Sequence, residues 1–299
     1  MTDPVGRPYT VNGVLPVLHE PVLLVNLSGW IDASAAGAGA IDHIAKLTDA
    51  VEIISFDGDR FMDYRARRPV MEIRQGVNAG VRPNIPVIRL AHDAKDAAIL
   101  LLSGPEPDFA WQLFCSSVAD IAVELGVKKV IGVGAYPYGA PHTRKVRLTH
   151  TTPDRAVSDR LNHDRNTLDV PAGVSSLLEL EMHSRGITAL TFWAQVPHYV
   201  ATMQFSAASA ALIEAVRTET GLVVDTSLLE EEAAVQRERL DNLVGANSEH
   251  ADMITKLEQA YDAAHSPAAL EIVTDLPSAE QLGEEIERFL REQQSGDQQ

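Results

Sequence analysis

The sequence predicts an α/β protein, a three-layer α/β/α domain with a largely parallel or mixed central sheet, followed by a helical C-terminal subdomain. Three observations carry this. Short, continuously apolar runs recur along the first three quarters of the chain, as expected of strands covered on both faces. Between them lie segments of helical length that end at glycine. From about residue 225 onward no strand candidate remains.

Taken in order, VLLVNL (22–27) is the first buried strand, and SGWIDASAAGAGAIDHIAKL then predicts a helix entered just after Gly29-Trp30. VEIISFDG (51–58), a short run at PVIRLA and AAILLLSG (97–104) are the next strands. The helix over 108–126 stops at Gly126. VKKVIGVGA is another strand, VRLTHTT one more, and VSSLLELEMHSRG a helix closed by Gly186. ITALTFWAQV and YVATMQFSAASAALIEAVRTETG complete the strand–helix alternation that defines the class. The C-terminal part carries Leu229, Ala233, Leu240, Leu243, Ile254, Leu257 and Tyr261 on one helical stripe, with a break over residues 245–248 that suggests a helical hairpin. The expected division is 1–224 for the core, 225–290 for the helical subdomain and 291–299 for a disordered tail.

With 299 residues and an apolar fraction of 45%, the chain can bury a full core without disulfides. Twenty-five Lys and Arg against 42 Asp and Glu give a net charge of -17, which argues against nucleic acid or anionic membrane as general partners. No apolar run approaches the roughly 20 residues of a membrane helix, and a cytoplasmic location is expected. The single cysteine, Cys115, lies in the apolar stretch DFAWQLFCSSVADIAVEL and reads as core.

Chemistry is harder to find. VIGVGAYPYGAPHTR (130–144) resembles a dinucleotide-binding turn only in Gly132 and Gly134, because Pro137 and Pro141 forbid the helix that must follow. No phosphate-binding loop, nucleophile elbow or zinc-protease motif occurs, and the scattered histidines imply no metal. No cofactor is expected. Five polar clusters remain near predicted strand ends: GWIDA (29–33), DYRARRP (63–69), GPEPDFAW (104–111), PHTRK (141–145) and VPHYV (196–200). Loops beyond the carboxyl ends of parallel strands meet at one rim, where sites form.

From these clusters come the candidate site residues. Trp30 and Asp32 could line a pocket, although Asp32 also suits a helix cap. Asp63, Tyr64 and Arg65 could bind a polar ligand, or Asp63 could pair with the arginines at 65–68. Glu106, fixed between two prolines, could act as a general acid or base, with GPEPD alternatively a turn into the next helix that places Asp108 near its cap. His142 and Arg144, with His198 and Tyr199, could hold an anion, or Arg144 could pair internally with Glu106 or Asp32. Glu106 and His142 are the catalytic candidates.

GWIDASAA, FMDYRARRP, LLLSGPEPDFAW, APHTRKVRLTHT, FWAQVPHYVA and KLEQAYD occur in this order over residues 15–262. In this series the chain resembles an actinobacterial member of the proteasome assembly chaperone family, the group related to the second eukaryotic assembly chaperone. The resemblance implies a phosphorylase/hydrolase-like α/β/α fold, a homo-oligomer (a trimer is the expectation), and a non-catalytic scaffold that binds protein, proteasome subunits among the partners. It implies no catalytic residue set. Lys145 departs from the proline that often follows PHTR in the family. The alternative is a hydrolase or phosphorylase-type enzyme acting on a small anionic substrate, which fold analogy alone suggests.

Overall fold

The structure, a computed structural model, describes residues 6–264 apart from 162 and 166. One mixed sheet of eight strands forms its centre, and helices cover both faces. In chain order the elements are β1 (Tyr9–Val11), β2 (Val22–Ser28), α1 (Ala36–Leu47), β3 (Val51–Phe56), α2 (Gly58–Phe61), β4 (Val70–Arg74), β5 (Val77–Arg82), β6 (Val87–His92), β7 (Ala98–Pro105), α3 (Trp111–Glu124), β8 (Lys129–Tyr138), β9 (Leu148–Thr151), α4 (Arg155–Arg160), α5 (Val174–Ser184), β10 (Thr188–Pro197), α6 (Ser206–Thr220), α7 (Ser227–Gly245) and α8 (Ser248–Ala264). Strands in the sheet run in the order β1-β3-β6-β7-β2-β8-β10-β9. The four central strands β7, β2, β8 and β10 are parallel. The flanking pairings are antiparallel.

Alternation along the central strands sorts side chains into two cores. Leu24, Leu101, Ile131 and Leu190 point toward α1 and α6. Leu23, Val25, Leu100 and Val130 point toward α3 and α5, where Phe56, Phe61 and Phe114 form an aromatic cluster with centroids as close as 4.7 Å. Cys115 is in this second core, and burial pushes its thiol pKa up to about 12, so it is an inert apolar residue.

Three local readings are corrected. The first helix begins at Ala36, because residues 33–35 form a 3-10 turn in which Ser34 and Ala35 are left-handed. Helix α3 begins at Trp111 behind a left-handed Ala110, so Asp108 does not cap it. Two features escaped the periodicity: the edge strand β1 and the β4–β5 hairpin, which pairs with no other strand among the described residues. In the C-terminal helices Leu229, Leu240 and Ile254 are buried as the stripe requires, but Leu243 faces solvent at 64% exposure. The expected tail at 291–299 lies outside the described residues.

One buried carboxylate fastens the return of α6 to the sheet. Asp93 accepts from the backbone N–H groups of Lys95 and Ala97 at 2.8 Å each, and of Val223 at 2.7 Å. Burial alone would raise its pKa, but these donors and the Lys95 charge outweigh it and hold the carboxyl below its usual value of 3.8. A depressed folded pKa means stability that is present above the unfolded value and lost as pH falls through the folded one. Asp93→Asn is therefore expected to lower the melting temperature at pH 7 and to flatten its dependence on pH below about 4, measured by thermal denaturation across pH 2–7.

Candidate functional site

The candidate residues divide between two hydrogen-bonded groups. The first forms where β2 and β7 end side by side. The Glu106 N–H donates to the Ser28 carbonyl at 2.7 Å, and its Oε2 accepts from the Val174 N–H, at the start of α5, at 3.1 Å. Gly173 has no side chain, and a Cβ there would lie 3.1 Å from Trp30 Cδ1 and 3.3 Å from Glu106 Oε2. Trp30 thus packs beside the carboxylate, with half its surface exposed. Glu106 is positioned by two strand ends and one helix start, and no general-acid partner is paired with it among the described residues.

DYRARRP folds against this group through backbone and ion pairing. Asp63 accepts from the Arg65 N–H at 2.8 Å and donates its own N–H to Asp108 Oδ2 at 2.8 Å. Arg67 pairs with Asp108. Although burial opposes it, the Arg67 guanidinium and the Asp63 N–H hold the Asp108 carboxyl below its usual range. So Asp63 organises a turn, and the ion pair of this stretch is Arg67–Asp108. Tyr64 is half-buried over Gly58, while Arg65 is exposed.

Asp32 belongs to the scaffold of α1. Its two oxygens accept from the N–H groups of Gly37 at 2.8 Å and Ala38 at 2.9 Å, with Asn26 Nδ2 at 3.3 Å. Burial raises its pKa against the pull of these donors. Its side chain thus satisfies the amide donors of the first helical turn.

The second group joins the core to the C-terminal helices. Buried His142 accepts the Tyr199 hydroxyl at Nδ1 at 2.7 Å, and the His142 backbone N–H donates to the same hydroxyl oxygen at 2.7 Å. With Nδ1 accepting, Nε2 carries the proton and donates to Asp241 Oδ1 of α7 at 3.1 Å, an assignment that satisfies all three groups. Burial pushes the Tyr199 pKa up to about 12. Arg144 does not reach Glu106 or Asp32. It forks onto α8 instead, donating to Glu258 at 3.0 Å and to Asp262 at 2.9 and 2.8 Å, which raises its pKa. Thr143 bonds Glu258, and the Tyr261 hydroxyl donates to the Lys145 carbonyl at 2.8 Å. His198 is exposed and contacts only the Tyr199 ring, at 5.3 Å, in this group.

PHTRK is thus a clamp that holds the helical hairpin through polar bonds. Tyr199→Phe removes both the donor to Nδ1 and the acceptor for the His142 N–H. It is expected to cost about 1–3 kcal/mol by chemical denaturation. Sequence reasoning missed Asp241, Glu258 and Asp262 as partners; the last two sit in KLEQAYD, one of the family segments, but nothing local pointed them at Arg144. Among the described residues no group of three His, Cys, Asp or Glu could hold a metal, and no helix is long and apolar enough to cross a membrane.

Comparison with known proteins places this arrangement. No curated protein matches the chain. A Mycobacterium tuberculosis protein of unknown function, Rv2714, is 32% identical over 87% of this chain and 93% of its own, with a TM-score of 0.78. A Corynebacterium glutamicum protein of unknown function is 29% identical, covering 87% of this chain and 99% of its own, with a TM-score of 0.81. The M. tuberculosis proteasome-assembly chaperone homologue Rv2125 is 26% identical over 78% of this chain and 99% of its own, with a TM-score of 0.72. The same sheet and flanking helices thus recur in proteins of this group. The sequence profile of the PAC2 family matches residues 26–244, which takes in the first bonded group and the His142–Tyr199–Asp241 part of the second, and the chain belongs to that family.

Proposed function

We propose that this chain is a non-catalytic, assembly-chaperone-like protein that self-associates and binds protein subunits, with proteasome subunits as the first class of client. One observation carries the reading: the candidate catalytic residues Glu106 and His142 and the anion binder Arg144 are engaged in internal bonding, while the described residues leave an apolar surface exposed elsewhere. Glu106 is held by Val174, His142 by Tyr199 and Asp241, and Arg144 by Glu258 and Asp262. An anion-binding enzyme needs Arg144 free, and here two carboxylates already neutralise it.

The open surface is the β4–β5 hairpin. Met71 faces Val81 across the ladder with Ile73 two residues along, and all three are more than half exposed. A two-stranded ribbon is marginal alone in water, so a second protein surface would stabilise it. Arg82 adds positive charge to a chain whose net charge is -17, which suits contact with another acidic copy, while Arg74 pairs with Glu72 on its own strand. The assembly-chaperone homologue among the structural neighbours supports the choice of client.

The test has two parts. Light scattering should give a mass that is a multiple of 32.5 kDa. Adding the chain to separately purified proteasome α and β subunits from the same cells should speed the appearance of assembly intermediates on native gels. A monomer that leaves assembly unchanged, or a chain that turns over a small anionic substrate, would overturn the proposal.

A further inference from the structure

A third group of side chains, unused by the clamp or the rim, lies where α5 crosses β10 beside β9. Glu179 of α5 accepts at Oε1 from two hydroxyls, Thr151 of β9 at 2.8 Å and Thr191 of β10. Trp193 of β10 donates its indole N–H to the same Thr151 hydroxyl at 3.2 Å. The carboxylate and the indole are therefore two hydrogen bonds apart, held by threonines whose χ1 angles are stiff.

The strand beneath is shaped for the indole. Gly134 of β8 stands directly beside Trp193, and a Cβ there would lie 2.6 Å from Trp193 Cζ3. The ring thus reaches from Gly134 to Thr151 across three strands, half-buried, with Tyr136 and Tyr138 continuing the same face of β8 at a ring separation of 6.1 Å. Gly132 performs the same service for Thr191. This is the structural use of the two glycines in VIGVGA.

Both neighbours of Glu179 Oε1 are neutral, and among the described residues no donor reaches Oε2. Burial holds the carboxyl above its usual range even with the two hydroxyls pulling the other way. A cation brought to Oε2 would relieve that cost, and one that also came within about 6 Å of the Trp193 ring centre would gain cation–π attraction. We infer that Glu179, Trp193 and Thr151 form a recognition site for a cationic side chain, guanidinium or ammonium, presented by a protein partner. The inference deepens the protein-binding reading and rests on it for the source of the cation. The site itself is testable without any partner.

The experiment follows the Trp193 indole N–H signal, assigned with Trp193→Phe, while blocked arginine (the N-acetyl, N-methylamide derivative) is added. Blocked citrulline, its uncharged isostere, is the control. A saturable shift with arginine, absent with citrulline and weakened at least tenfold by Glu179→Gln, is the expected result. Trp193→Leu, which keeps the carboxyl, should weaken binding severalfold as read by calorimetry, and serves if Glu179→Gln does not fold. Equal response to both compounds, or no saturable shift at tens of millimolar, overturns the site. If blocked arginine binds but the chain engages no subunit, the site stands and the assembly reading falls. If subunits bind and arginine does not, the reverse holds.

Discussion

Gly104→Ala is expected to lower the melting temperature by about 10 °C, on the basis of roughly 3 kcal/mol or more of lost stability in a domain of this size. Gly104 has φ +128°, in the region that L side chains rarely adopt. A Cβ there would also lie 2.7 Å from the Ile85 carbonyl oxygen and 2.9 Å from Pro86 Cα. Both obstacles are backbone, so no side chain can turn aside. The carbonyl of this residue begins the Pro105-Glu106-Pro107 path that sets Glu106 against Ser28 and Val174, so the change should disturb the first bonded group as well. Gly126→Ala separates the two causes: φ is +75° there and nothing lies within 4 Å, so only backbone strain of about 1 kcal/mol applies. Thermal unfolding of the two variants side by side decides the matter. Equal small losses would mean that the sheet yields at Gly104 and that the collision is not rigid.

The contrast between these glycines shows what a sequence can reveal. GPEP announced a constrained turn, but only the segment that leads into β6, Ile85 and Pro86, makes Gly104 irreplaceable. The same limit runs through the candidate site. Strands β2, β7, β8 and β10 were legible because their burial on both faces forces continuous apolar runs. The β4–β5 hairpin was not, since VMEIR and VNAGVR mix charge, glycine and exposed apolar residues, and none of the described residues buries either strand. Asp32, read as a cap for a helix from about Ala33, bonds instead to Gly37 and Ala38 of a helix that starts at Ala36, a local pairing only a few residues from the one expected. Arg144 finds its acids 114 and 118 residues downstream, and Glu179 its threonines on two strands, distances at which spacing carries no signal. Family resemblance collected the right segments, but assigned none of these pairings.

Ile73→Glu is expected to abolish the self-association proposed above while leaving the fold of each copy intact. Ile73 is 56% exposed in the single chain, so glutamate in its place keeps its carboxylate in water, and the melting temperature of the isolated chain should change by no more than 1–2 °C. In an interface the balance is different. Burying one isoleucine contributes about 2 kcal/mol, and a buried, unpaired carboxylate costs more than that gain. Each copy carries the change, so the association constant should fall by at least a hundredfold. Val123→Glu is the control, because Val123 is equally exposed at 55% but lies on α3, away from the hairpin. Light scattering after size-exclusion chromatography, repeated across a dilution series, would show monomer for Ile73→Glu and the parent mass for Val123→Glu. An unchanged mass for both would place the contact elsewhere, and a collapsed melting temperature for Ile73→Glu would mean that the hairpin packs on its own chain. Only the combination of lost mass with retained stability identifies a surface whose apolar residues serve another molecule.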